Sequence, residues 1–176
     1  MFRKILIMMF SLLIIACKSE EKKQESIQET VAVDTVKTFT LKGIKDGKKT
    51  WELEGEDAIL ALEQANEISI NKPFMKFFDE QGQVKATVTA NRAKVNSKTK
   101  DMHAMDEVVM ISTKDKSTLY TTDIFYENVS GKFHSDAKVK IVREDSVTTG
   151  VGFDSPLDLS EVNIHKNVEI SYQEKA

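Results

Sequence analysis

From Val36 onward the chain alternates between apolar and polar residues. Thr50-Trp51-Glu52-Leu53-Glu54 alternates, and so does Val84-Lys85-Ala86-Thr87-Val88-Thr89-Ala90. The same holds for Lys138-Val139-Lys140-Ile141 and for Asn167-Val168-Glu169-Ile170-Ser171-Tyr172. Successive side chains of an extended chain point to opposite sides, so these runs predict strands with one buried and one wet face. They are rich in Val, Ile, Thr and Phe, which suit a pleated surface. Turn-forming residues fall between them: Lys45-Asp46-Gly47, Asp79-Glu80-Gln81-Gly82, Asn96-Ser97-Lys98, Asn128-Val129-Ser130-Gly131 and Arg143-Glu144-Asp145-Ser146. Glu56 to Asn66 is rich in Ala, Leu and Glu and has a helical look. Its neighbours are strands, so it reads as strand or bent connection. The expectation is an all-β fold of about fifteen short antiparallel strands, a sandwich or jellyroll.

The alternation is itself repeated. Four segments carry a small residue at a fixed place: Gly55, Ala90, Thr122 and Gly150. Each is followed by an apolar residue three positions on (Ala58, Ala93, Phe125, Phe153) and by another after a turn (Phe74, Val109, Val139, Val168). The small residue and the later apolar one are separated by 19, 19, 17 and 18 residues, and the units by 35, 32 and 28. Units of this kind bury their apolar face by stacking on neighbours.

The N-terminus follows a different pattern. Arg3 and Lys4 precede Ile5 to Ala16, an apolar run interrupted by Ser11 alone. A membrane-spanning helix needs roughly 20 apolar residues, so this run has the length of a signal-peptide core. It ends in Ile14-Ile15-Ala16-Cys17, which resembles a bacterial lipobox. That motif implies cleavage before Cys17 and diacylglycerol on its sulfur. Residues 1–16 are thus expected to be a lipoprotein signal peptide. Residues 17–35, polar and free of aromatics, are expected to be a disordered tether. The folded domain is expected over 36–176.

Composition narrows the function. The net charge is -3 with signs mixed along the chain, so no basic stripe for nucleic acid exists. Cys17 is the single cysteine, which excludes an intramolecular disulfide. His103, His134 and His165 lie about a repeat apart, and none has a second histidine or a cysteine at metal-ligand spacing. Gly150-Val151-Gly152 is followed by no helix, and no Gly-x-Ser-x-Gly elbow occurs. The expectation is a protein with no catalytic residues, metal or cofactor. Its aromatics stand on the strands, with small residues such as Ala86, Ala90 and Ala93 among them. Such residues fill an ordinary core, or they line a slot for acyl chains.

In order and spacing, four pieces of the chain resemble the LptC family, the periplasmic bitopic component of lipopolysaccharide export. They are Lys48 to Ala58 (KKTWELEGEDA), Asn71 to Gly82 (NKPFMKFFDEQG), Val88 to Ala93 (VTANRA), and Thr149 to Asp154 (TGVGFD) with Asn167-Val168. The resemblance runs from about Phe39 to Ile170, and the repeat is also similar to that of OstA-like bridge proteins. It implies a twisted β-jellyroll, open at both ends, with lipopolysaccharide acyl chains held between its sheets. It implies a carrier that receives lipid from an inner-membrane ABC transporter, passes it to a periplasmic bridge protein and performs no chemistry itself. Family members carry an N-terminal transmembrane helix, where this chain has a short signal and Cys17. A lipid anchor holds a domain at a membrane but cannot act as a gating helix. Lys18 stands where some bacteria place an inner-membrane retention aspartate. The inner membrane is favoured through the transporter, with the outer membrane left open.

The inward face is taken as that of Val139 and Ile141 and extended through the repeat. It then includes Trp51, Leu53, Phe74, Phe78, Val88 and Ala90. Further along it includes Phe125, Phe133, Phe153, Val168 and Ile170. These are the expected lipid-binding positions. Thr38, Thr40 and Lys42 mark the expected edge toward the transporter. Val168, Ile170 and Tyr172 mark the edge toward the bridge protein, since an open edge accepts a partner strand. Two alternatives stand beside the carrier. One is a lipidated bridge-type protein. The other is a structural or adhesive envelope lipoprotein whose packed sandwich binds only protein.

Overall fold

The alternating runs form eleven strands among the described residues. They are β1 Val33–Val36, β2 Phe39–Lys45, β3 Lys48–Ala61, β4 Glu67–Phe78, β5 Val84–Thr89, β6 Arg92–Asn96, β7 Met102–Ser112, β8 Thr118–Glu127, β9 Lys132–Val142, β10 Ser146–Pro156 and β11 Asn163–Tyr172. The computed structural model describes residues 33–61, 66–114 and 116–172. The signal peptide, Cys17 and most of the tether lie outside these residues. β1 begins within the segment expected as tether.

Every pairing is antiparallel, in the order β1-β3-β4-β5-β7-β8-β9-β10-β11, with β2 on β3 and β6 joining β4 and β7. The count is below fifteen because long strands pass through a bend without stopping. β3 pairs β2 with its first part and β1 with its last. β4 and β7 each pair both β5 and β6. At the bend the ladders shift register, between Glu54 and Ala58, Met105 and Val108, Thr121 and Phe125, and Val151 and Phe153. An extra residue on one strand kinks it and sharpens its twist. The backbone turns left-handed there at Asp57, Lys72, Asp106, Glu107, Gly152 and Asn167.

This line of bulges divides one sheet into two leaves that close like a book. Phe77 on the first leaf meets Tyr126 and Phe133 on the second, with ring centroids 4.9 and 5.1 Å away. The shared inner face is the core: Leu53, Phe77, Val88, Met110, Leu119, Ile141 and Phe153 are almost wholly buried.

The bend also explains the repeat and corrects its phase. Gly55, Ala90 and Gly150 stand on the inner side just before it. In the third unit that place belongs to buried Thr121, not to exposed Thr122. Three residues on, the inner position is buried Ile124, not Phe125. Beyond the bend the inner residues are Pro73, Val108, Val139 and Val168, so Phe74 and Val109 are one place out of phase. The corrected pairs Gly55/Pro73, Ala90/Val108, Thr121/Val139 and Gly150/Val168 all lie eighteen residues apart.

Three residues expected inside therefore face out. Phe74 and Phe78 flank the buried Met75 and Phe77 and are only half-buried. Lys76 Nζ stands 5.0 Å from the Phe74 ring centroid, and Lys49 Nζ 4.0 Å from that of Phe78. Lysine stems cover outward aromatics well, which removes the need to bury them in the core. Phe125 is 36% exposed and lies between His103 and His134, at 3.8 and 5.1 Å between ring centroids.

Candidate lipid-binding face and open ends

Register pairing aligns one inner row across the whole first leaf: Leu41, Leu53, Met75, Val88, Met110, Leu119, Ile141, Thr148 and Ile170, each directly opposite the next. Eight of the nine are apolar, so the row is an apolar track from edge to edge, interrupted only at Thr148. Its interior members are sealed, but Ile170 at the far edge is 55% exposed. Val168 and Tyr172 alternate with Ile170 and are exposed too.

The expected inward residues divide accordingly. Trp51, Leu53, Val88, Phe133, Val139, Ile141 and Phe153 sit buried on the inner face, and Ala90 packs half-buried against it. Val168 and Ile170 lie on the same face and are exposed among the described residues. Phe74, Phe78 and Phe125 are on the outside. Sequence reasoning missed Met75, Phe77, Met110 and Leu119, although alternation within Phe74 to Phe78 and Thr118 to Thr121 contained the signal.

Both ends of the book are strand edges. Among the described residues β11 pairs β10 alone, and at the other end β2 and β1 each pair β3 alone. Thr40 and Lys42 lie on the β2 edge, and Thr38 precedes it at a left-handed φ of 52°. Outside, Glu52 pairs with Lys49 of its own strand at 3.1 Å, and charges pair across strands where Lys76 meets Glu54 at 2.8 Å and Arg92 meets Asp106 at 2.6 Å. The hydrogen bond from Lys49, helped by Lys42 and Lys76, holds Glu52 below the usual carboxylate range despite partial desolvation.

A clasp joins the leaves where their free ends meet. The loop after β10 crosses to the first leaf, where Ser112 Oγ donates to the Asp158 carbonyl at 2.9 Å. Lys85 Nζ lies 3.3 Å from the Asp158 carboxylate, and Leu159 is fully buried at a left-handed φ of 52°. Burial pushes the Asp158 carboxyl upward, but hydrogen bonds from Ser160 and the Lys85 charge outweigh it and lower its pKa to about 2. A folded-state pKa below the ordinary 3.8 means the ionised form supports the fold above pH 4. That support, about 2 kcal/mol, is lost as pH falls from about 4 to about 2. In acid titrations followed by thermal unfolding, Asp158→Asn should flatten the pH dependence in that window. An unchanged slope would place the clasp outside the stability of the domain.

The three histidines gather on the outer side of the second leaf. His103 and His134 stack on Phe125, and His165 Nε2 lies 2.7 Å from Asp154, the cross-strand neighbour of His134. Burial lowers the His103 pKa, and its Nε2 is buried without a hydrogen-bond partner among the described residues. Among the described residues no group of three or more His, Cys, Asp or Glu is arranged to hold a metal ion.

Fold and inner face together define an open-ended antiparallel β-jellyroll with an apolar track between its leaves. The family of lipopolysaccharide-assembly, LptC-related proteins matches residues 4–173. The chain belongs to that family and is a lipopolysaccharide-transport protein of the periplasm. A similar solved structure is LptH from Pseudomonas aeruginosa, the LptA-homologous periplasmic component of the lipopolysaccharide transport device. It is 9% identical with a TM-score of 0.34, over 81% of this chain and 96% of that one. No curated protein sequence matches.

Proposed function

We propose that the domain carries the acyl chains of lipopolysaccharide on its inner face. It receives the lipid from an inner-membrane ABC transporter at the β1/β2 end and passes it to an OstA-like bridge protein at the β11 end. A lipid on Cys17 holds it at the periplasmic side of the inner membrane. No chemistry is done on the cargo. The observation that carries this reading is the apolar row from Leu41 to Ile170, which crosses the leaf and continues beyond its covered part. An apolar face that runs on past a free edge fits continuation on a second jellyroll. Moving a tail along it avoids exposure to water, which costs about 25 cal/mol per Å².

The centre favours the structural alternative, because Phe77, Tyr126 and Phe133 close it by direct contact. A carrier must therefore part its leaves to load. Photo-crosslinking in cells separates the two readings, with the crosslinking residue at Ile141 and, as outer control, at Lys140. Lipopolysaccharide adducts at Ile141 and not at Lys140 are expected. Adducts to protein alone, or equal lipid labelling at both positions, would leave the packed structural protein as the better account.

A further inference from the structure

A cavity of about 520 Å³ opens between the leaves at the β2 end, away from the exposed residues of β11. The first leaf contributes Lys42, Ile44, Lys45 and Trp51 to it, and turns of the second leaf contribute Lys100 and Val129. Three lysines line the cavity and no carboxylate does. Lys42 leans toward Glu52 at 3.7 Å, while Lys45 and Lys100 make no ion pair among the described residues. Lys100 donates to the Ser97 carbonyl and so is held near its own turn. Ile44 and Val129 form apolar lips, 68% and 82% exposed. Trp51 is 3% exposed, and its indole N–H is buried with no partner among the described residues. Gly43 makes this placement possible, since a Cβ there would lie 2.1 Å from Trp51 Nε1.

Lysines contributed by two leaves to one cavity whose lining has no carboxylate suit an anion, and the lips beside them suit hydrocarbon. Free phosphate would use the first feature and leave the second idle. A neutral lipid would do the reverse. From this combination we infer that the cavity is a recognition site for the phosphate of a phosphorylated, acylated glycolipid. Lys45 and Lys100 clasp the phosphate from opposite leaves, and Ile44 and Val129 take the methylenes nearest the head group. The site reads the head group at the end where the row from Leu41 begins. This inference rests on the lipid-carrier reading above and names the feature by which the cargo is chosen.

Trp51 is the single tryptophan of the chain and lines the site, so its emission reports occupancy. The full chain is placed in phosphatidylcholine vesicles and titrated with bisphosphorylated lipid A, with its dephosphorylated counterpart and with inorganic phosphate. Bisphosphorylated lipid A should shift the emission at the lowest concentration. Lys45→Gln with Lys100→Gln should weaken it about tenfold, the loss of charge-assisted contacts, and abolish its advantage over the dephosphorylated lipid. Both lysines are exposed, so the variant should unfold at the wild-type temperature, and Lys98→Gln with Lys132→Gln serves as the charge-matched control. If the double variant keeps the wild-type preference, or the control loses it equally, the site is overturned while the carrier reading stands. A shift by inorganic phosphate at the same concentration as lipid A would make this a free-anion site and also overturn it. If neither lipid shifts wild-type Trp51 and Ile141 gives no lipid adduct, both readings fail.

Discussion

Phe77→Ala should cost the domain about 3–5 kcal/mol, the range for deleting a buried phenylalanine side chain. Phe77 is fully buried, lies between Trp51 and Ala86 along the first leaf and meets Tyr126 and Phe133 across the interior. Removing the ring leaves a hole where the two leaves touch, and backbone ladders on both sides limit how far they can collapse into it. Domains of this kind have about 5–15 kcal/mol in total, so the loss is a large share. Urea unfolding should give an unfolding free energy lower by that amount. Phe77→Leu keeps most of the volume and should lose much less. A Phe77→Ala unfolding free energy within about 1 kcal/mol of wild type would mean that the leaves are held mainly elsewhere, with the clasp at Asp158 the first alternative.

Ile170→Asp should have the opposite profile, leaving stability almost unchanged and abolishing transfer. The side chain is already half in water at the end of the sheet, and β11 is held by main-chain pairing with β10. Exposed substitutions of this sort change stability by about 0.5 kcal/mol or less. A partner jellyroll seated on this edge would bury the carboxylate in apolar surroundings, a cost of at least several kcal/mol for an unpaired charge. Handover of lipopolysaccharide to the bridge protein should therefore fall by more than about a hundredfold. Ser171→Asp, which adds the same single negative charge on the outer side of the same strand, is the control for charge alone. Transfer at the wild-type rate by a folded Ile170→Asp protein would rule out this edge as the exit.

Alternation made the strands legible, because period two survives in nearly every run. It identified Trp51, Leu53, Val88, Val139 and Ile141 as one face. It did not carry that face across the bend. A bulge shifts parity by one, and the bulge residues Asp57, Lys72, Asp106 and Asn167 are not glycines. Asp and Asn tolerate a left-handed backbone better than most residues, but they are as common in ordinary turns. Residue type alone therefore does not locate the bend, and Phe125 and Phe74 fall on the side opposite to the one alternation gives them. β1 was missed because its four residues, Val33-Asp34-Thr35-Val36, do not alternate. The clasp was illegible too. Leu159 is buried in a left-handed conformation that bulky residues avoid, and only the packing of the finished loop makes that tolerable.

The constant eighteen-residue step has a consequence for size. Each pass through the bend adds one strand to both leaves at once, and neighbouring strands lie about 4.8 Å apart. The interior therefore lengthens in discrete increments, about 10 Å for each down-and-back unit. Gain or loss of a whole unit would keep inside and outside in phase, whereas gain or loss of a single residue would turn half a unit inside out. Such a chain is a ruler marked in pairs of strands, and its reach can be reset by duplication without redesigning its core.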